Sequence, residues 1–340
     1  MRRARRHVVA DLDPRLPLRR RPGAARPRAG DADARPRLRR RALGGDVAVL
    51  ASAVCFGITI PLSKLTLDEG SAPYSLVAVR FLVGGLLLLP VALRRPASGH
   101  GSAGISAKAF PDSEVRAVAL CTVPLLLGYL ALTVGLERTS STAAAFLSYL
   151  LVVIVPVLSA LVLRRLPTRG VAIGVVLSVA GLERLTGGAD AGLGSGEVLC
   201  LLAALLFAIH VLVLGHVVTT MDIDSARLAS FQLIGVGILA APVALAVDGV
   251  PEETLWWLGA LAIAAAGVVA LLLQTIGQRE VGPSRTALIL MVDPVVAAAG
   301  GYWLGERIGW RGAFGAGLIL LGIAVAEVMT LDRTVNEAET

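Results

Sequence analysis

The chain has 340 residues, 55% of them hydrophobic and 17% charged, with a mean hydropathy of +0.74. A soluble domain of this length would carry about 25% charge and spread its apolar residues in short periodic patches, so a soluble globular fold is excluded. The formal charge of +7 is unevenly placed: residues 1–43 hold 15 Arg and 4 Asp, a net of +11, which leaves −4 for residues 44–340.

In chain order, the first segment is the Arg/Pro-rich stretch 1–43, RRARRH…RRRPGAARPRAGDADARPRLRRR. It has no apolar h-region and does not read as a secretory signal peptide. Its composition cannot bury a core, so it is expected to be a disordered cytoplasmic tail. No aromatic residue interrupts the Arg, which speaks against nucleic-acid binding. The readings that remain are a contact with lipid headgroups and a start codon placed too far upstream. Ten apolar runs follow, predicting helices near 46–65, 73–93, 117–136, 143–163, 171–187, 197–217, 227–247, 256–277, 284–304 and 311–330. A run of roughly 18 or more apolar residues spans a hydrocarbon core about 30 Å thick. The links are short and carry turn residues, as in Asp68-Glu69-Gly70, Leu166-Pro167-Thr168, Asp248-Gly249-Val250-Pro251 and Val281-Gly282-Pro283. Cys55, Cys121 and Cys200 fall inside predicted spans, far apart, and read as small apolar fillers. Neither a metal nor a disulfide framework follows from them.

The chain also resembles itself. Residues 72–93 match 224–245 at an offset of 152, with Pro90-Val91-Ala92-Leu93 recurring as Pro242-Val243-Ala244-Leu245 and Arg80 opposite Gln232. Later segments match at an offset of 142, pairing Thr133 with Thr275, Gly135 with Gly277, Ala145 with Ala287 and Arg169-Gly170 with Arg311-Gly312. The two halves read as residues 44–190 and 191–332, followed by a short C-terminal tail, 333–340. Five crossings per half is an odd number, so the second half must lie inverted relative to the first. Inverted repeats of this kind build secondary transporters with a binding site near the midplane. With the N-terminus in the cytoplasm, eleven Arg or Lys after residue 43 fall in cytoplasmic loops and three, Arg138, Arg307 and Arg311, fall outside. The positive-inside rule then places both termini in the cytoplasm of a multi-pass cell-membrane protein.

LVAVRFLVGGLLLLP resembles the second helix of the EamA-type members of the drug/metabolite transporter superfamily. TSSTAAAFLSYLLVVIVPVLSALVLRRLPTRGVAIGVVLSVAGL resembles their fourth and fifth helices, and VGPSRTALILMVDPVVAAAGGYWLGERIGWRGAFGAGLILLGIAV their ninth and tenth. The resemblance covers about 46–330. It implies a ten-helix exporter or exchanger with a central cavity opening alternately to each side. Two features depart from that pattern: VCFGITIPLSKL lacks the Trp common beside its Gly and adds Pro61, and the fifth helix ends in the charged pair Glu183-Arg184.

Charge inside a bilayer costs a few kcal/mol or more, so intramembrane polar residues need a reason. Asp293 precedes Pro294 in the middle of the ninth predicted helix, where the proline removes a backbone donor and frees a carbonyl one turn earlier. Asp293 is therefore the candidate for ion or proton coupling, against a reading in which it only stabilises packing. Phe56, Tyr129, Tyr149, His210, Gln274 and Trp303 join it as candidate cavity residues, the tyrosines against a place in the interfacial belts. Lys64 and Arg80 are charged sites that read first as anchors with snorkelling stems and second, for Arg80, as a contact for an anionic substrate group. His210 and His216 are six residues apart and make a poor metal pair. Glu306 is expected to cap the tenth helix. Glu137-Arg138 and Arg279-Glu280 read as solvated pairs, and Gly170-x-x-x-Gly174 and Gly301-x-x-x-Gly305 as close-packing motifs.

Enzyme readings find no support: there is no H-E-x-x-H, no G-x-S-x-G and no phosphate loop with Lys. The expected protein is an all-α integral membrane protein of ten helices in two inverted five-helix repeats. Its expected work is secondary transport, as an exporter of a small metabolite or drug, driven by proton exchange or running as a facilitator. It needs no cofactor or nucleic acid; its partners are a small-molecule substrate, the lipid bilayer and, through the glycine motifs, a second copy in a homodimer. The competing reading is a non-transporting membrane scaffold or accessory subunit.

Overall fold

The computed structural model describes residues 34–94, 112–162, 169–185, 193–220, 225–281 and 289–339. Among them are eleven helices and no strands: α1 (Ala34–Glu69), α2 (Pro73–Arg94), α3 (Asp112–Glu137), α4 (Ser141–Tyr149), α5 (Leu151–Val162), α6 (Arg169–Leu185), α7 (Ser195–Thr220), α8 (Ser225–Val247), α9 (Thr254–Val281), α10 (Asp293–Trp303) and α11 (Gly309–Glu339). Contacts divide the chain after Leu43, and the helical bundle is the second unit, Gly44–Thr340. α1 nonetheless begins at Ala34, so the end of the Arg/Pro-rich segment is helical where its composition predicts disorder. Ala, Leu and Arg are good helix formers, and Pro36 falls in the first turn, where its missing N–H costs nothing.

Among the described residues, eight segments are long and apolar enough to cross a membrane, from Gly44–Glu69 to Gly309–Ala326, and one of them, Ser141–Val162, joins α4 to α5. The fifth predicted helix appears as α6, whose 17 residues fall just short of that length. The ninth is broken: residues 289–290 are helical, Met291 and Val292 form a turn, and α10 restarts at Asp293. Prolines 61, 90, 124, 156 and 242 all lie inside helices. Helix packing in a membrane bundle tolerates such breaks by re-satisfying the freed backbone.

Glycines set how closely the helices meet. A Cβ on Gly85 would lie 2.7 Å from the backbone nitrogen of Ile234, and one on Gly237 would lie 2.6 Å from that of Leu82, which brings α2 and α8 together. α3 meets α7 where Gly128 accepts the ring of Phe207 and Gly135 the carbonyl of Gly196. α1 meets α9 through Gly277, against Gly45 and Val49, and meets α10 through Gly57 and Gly300, against Val296 and Pro61. α6 and α11 share Gly174, Gly181, Gly315 and Gly322. The largest core cluster runs through Leu76, Leu147, Trp256, Ile263 and Ile319. α4 sits in its middle with every residue from Ser141 to Ser148 buried, which its small side chains permit.

Side chains tie the links together at one end of the bundle. Asp248 Oδ2 accepts from Ser75 N (2.7 Å) at the start of α2, Glu137 accepts from Ser71 (2.5 Å), and Glu197 accepts from Thr139 (2.5 Å). Glu137 is therefore a loop contact as well as a solvated charge, while the side chains of its counterpart Arg279-Glu280 lie outside the described residues. Glu306 does not cap the helix after it. Its carboxylate takes Ser141 N at 2.5 Å, Thr142 N at 3.0 Å and Thr142 Oγ1 at 2.7 Å, so it caps α4. The reason is the turn at the end of α10. Gly305 adopts φ +93, Glu306 N donates to Gly301 O at 2.9 Å and Gly305 N to Tyr302 O at 3.1 Å, which is a Schellman ending that folds Glu306 back over its own helix. Gly305 thus serves the turn, with nothing packed on it, while Gly301 makes the close contact with Ser141 and Thr142. With Ser140 Oγ accepting from Ala143 N at 3.1 Å, three orphan donors of α4 are satisfied. Glu306→Ala removes two of those acceptors from a buried helix end and is expected to cost about 2–3 kcal/mol, against about 1 for an exposed cap, read as a lower melting temperature in detergent.

Candidate functional site

Pro294 cannot donate to Leu290 O, the carbonyl one turn before it. The hydroxyl of Tyr149, at the last residue of α4, reaches that carbonyl at 2.9 Å and Asp293 Oδ2 also at 2.9 Å. A phenol has one hydrogen to give. When Asp293 carries a proton it donates to Tyr149 Oη, which passes its own hydrogen to Leu290 O. When Asp293 is ionised it takes the hydroxyl hydrogen, and Leu290 O loses its donor. The remaining oxygen, Asp293 Oδ1, is buried without a hydrogen-bond partner, and the residue is 7% exposed. The N-terminus of α10 adds a favourable dipole for a carboxylate. On the other side, α1 approaches at Gly57, where a Cβ would stand 2.7 Å from Asp293 O.

The two broken spans mirror each other. The interruption at Leu150, between α4 and α5, falls at the same register as Val292 under the 142-residue offset, so the end of one half-helix meets the start of the other. Discontinuous helices at corresponding places in two repeats mark solute sites in membrane transporters.

A second group lies beside this one. Tyr129 packs against the clusters that hold Tyr149 and Phe81. Its ring is edge-on to Phe81 (centroids 4.5 Å) and to Phe207 (4.9 Å). The Arg80 guanidinium lies 5.0 Å from the Tyr129 centroid and 5.1 Å from that of Phe81. Phe81 and Phe207 escape a reading of the sequence because nothing distinguishes a Phe packed beside a buried charge from any other core Phe; the adjacency of Phe81 to Arg80 is the only hint.

The other candidates separate. His210 is a closed node: its Nδ1 faces Cys121 O at 3.0 Å and so carries the hydrogen, which leaves Nε2 to accept from Gln232 Nε2 at 3.5 Å. Lys64 donates to Leu136 O (3.0 Å) and Glu137 O (3.3 Å) and pairs with Asp68 at 3.8 Å, which makes it an anchor on the end of α3. Phe56 is half-buried beside Gly57, and Gln274 is half-buried on α9. Trp303 does not line the interior: it is 89% exposed, beside the exposed Tyr302. At a helix end an indole can lay its ring against lipid while its N–H reaches polar groups, as in the aromatic belt of the membrane interface. Among the described residues no three His, Cys, Asp or Glu gather to hold a metal ion.

A bundle of apolar spans with a polar pair buried at a helix break defines a multi-pass membrane protein. The chain belongs to the EamA-like transporter family, whose pattern matches it twice, over residues 43–183 and 194–327, and hence to the drug/metabolite transporter superfamily. An uncharacterized transporter of Archaeoglobus fulgidus is 29% identical over 289 residues, covering 84% of this chain and 86% of its own. A crystal structure 19% identical in sequence shares the fold at a TM-score of 0.57, over 85% of this chain and 96% of its own.

Proposed function

We propose that the protein is a secondary transporter that exports a small solute across the cell membrane by alternating access between two inverted repeats, residues 44–190 and 191–332. The observation that carries this reading is the buried Asp293–Tyr149 pair at the mirrored helix breaks. It gives the bundle a protonatable group whose state changes the contact between the halves.

Ten crossings and inversion are supported by which helices touch. α2 pairs with α8, α4 with α10 and α6 with α11, each with its own counterpart, while α3–α7 and α9–α1 exchange when the repeats are swapped. A twofold relation in the membrane plane demands that pattern. The links at Ser71, Thr139, Asp248 and Glu306 share one end of the bundle, whereas Arg227–Glu114 (3.4 Å) lies at the other, as alternate crossings require. The loop charges support cytoplasmic termini, and export is the direction we propose from the resemblance to drug/metabolite exporters.

Reconstitution tests the reading. Proteoliposomes challenged with panels of amines, organic anions and zwitterions should show saturable flux of at least one class above protein-free vesicles, with pyranine reporting any linked proton movement. No flux with any class would favour a scaffold.

A further inference from the structure

Arg80 is the feature that the Asp293 mechanism does not use. It is the eighth residue of α2, about 10 Å along the helix from its start at a rise of about 1.5 Å per residue. Tyr129 is rooted eight residues before the end of α3, about 12 Å in, and Asp293 ten residues before the end of α10, about 15 Å in. All three therefore lie at similar depth in a core about 30 Å thick. Among the described residues no carboxylate pairs with Arg80, and no hydrogen bond holds its guanidinium. Its counterpart in the second repeat, Gln232, is by contrast occupied with His210. One of two related positions is closed and the other is open.

An unpaired cation at this depth is costly, and the two ring faces under it recover only part of that cost. The two rings stand 5.0 and 5.1 Å from the guanidinium carbon, and among the described residues nothing takes its N–H groups. Those groups form a planar fork, suited to two oxygens of a carboxylate, sulfonate or phosphate. Phe81, Tyr129 and Phe207 already form an edge-to-face series, which a further flat ring can extend. Gly128 permits this series: a Cβ there would stand 2.6 Å from the Phe207 ring.

From this juxtaposition we infer that the solute is an organic anion carrying an unsaturated ring, with its acidic group on Arg80 and its ring against Phe81, Tyr129 and Phe207. This rests on the transport reading above and adds the substrate class to it. Neutral solutes gain hydrogen bonds from the fork without the attraction between opposite charges. Cations are repelled by it.

Benzenesulfonate is a suitable probe, because it stays ionised and leaks slowly through lipid. Binding to the purified full-length protein is measured by calorimetry against benzenesulfonamide, which keeps the ring and lacks the charge, and methanesulfonate, which keeps the charge and lacks the ring. Benzenesulfonate should bind at least about tenfold more tightly than either, Arg80→Gln should weaken it by about tenfold or more, and Arg80→Lys should recover part of the loss. Equal binding of benzenesulfonamide to the unmodified protein, or unaltered benzenesulfonate binding by a folded Arg80→Gln protein, overturns the assignment. Counterflow separates the two ideas. Saturable flux of benzylamine without sulfonate binding rejects the anion and keeps transport. Sulfonate binding that follows Arg80 with no counterflow keeps the anion site and rejects transport.

Discussion

Asp293→Asn is expected to give a folded protein whose solute flux no longer responds to pH. The asparagine amide matches the protonated carboxyl in shape and can donate to Tyr149 Oη, leaving the tyrosine hydrogen on Leu290 O. The substitution therefore fixes the arrangement that the acid form adopts. In the unmodified protein, ionisation withdraws the tyrosine hydrogen and leaves the half-buried Leu290 carbonyl without that donor, a penalty of about 1–3 kcal/mol. Differential stabilisation of that size shifts a two-state equilibrium by about 5–150-fold, enough to bias alternating access and too little to lock it. Flux through proteoliposomes across a pH series is the measurement. The unmodified protein should show a pH-dependent rate, the Asn variant a flat one, and pyranine should report no solute-linked proton movement in the variant. Melting temperatures should stay close, since the hydrogen bonds survive. A pH profile identical to that of the unmodified protein would remove Asp293 from the coupling. Tyr149→Phe makes the complementary case: it strips Leu290 O of its donor in both states, and so should lose stability as well as pH response.

The spans were legible because a bilayer demands long apolar runs, and the repeat because both halves keep small residues and prolines at matching places. Met291–Val292 was legible through Pro294, which announces a missing donor. Leu150 was not: residues 143–163 read as one helix, and the nearest proline, Pro156, lies six residues past the break. That interruption depends on tertiary packing, with α4 buried from Ser141 to Ser148 and its last residue, Tyr149, engaged by α10. Tyr149 and Asp293 were both candidates, but their pairing spans 144 residues and no local pattern encodes it. Trp303 misled for a different reason. In water a Trp inside an apolar run points to the interior, whereas in lipid the outside is equally apolar and the sequence carries no inward signal. Glu306 misled through a turn, since the positive φ of Gly305 sends its carboxylate to a helix distant in sequence.

The largest structural effect is expected at the α6–α11 seam. Gly174 faces the carbonyl of Gly322, and Gly181 faces that of Gly315, so residue numbers fall on one helix as they rise on the other, as antiparallel neighbours require. A Cβ on Gly181 would stand 2.6 Å from Gly315 O and 2.8 Å from both Cγ1 and the backbone nitrogen of Ile319. The obstacle is mostly backbone, which cannot rotate aside, so even alanine must push the helices apart. Two terms oppose each other here. Gly→Ala raises helix propensity by about 1 kcal/mol, while overpacking a tight seam costs about 1–3 kcal/mol and forfeits neighbouring contacts. Gly317 lies on α11 with nothing within 4 Å of its would-be Cβ, so there only the first term operates. Gly181→Ala should therefore lower the melting temperature, Gly317→Ala should leave it unchanged or raise it, and Gly181→Leu should abolish the monodisperse peak in size-exclusion chromatography. Equal tolerance of leucine at both positions would mean that α6 and α11 do not meet along this face.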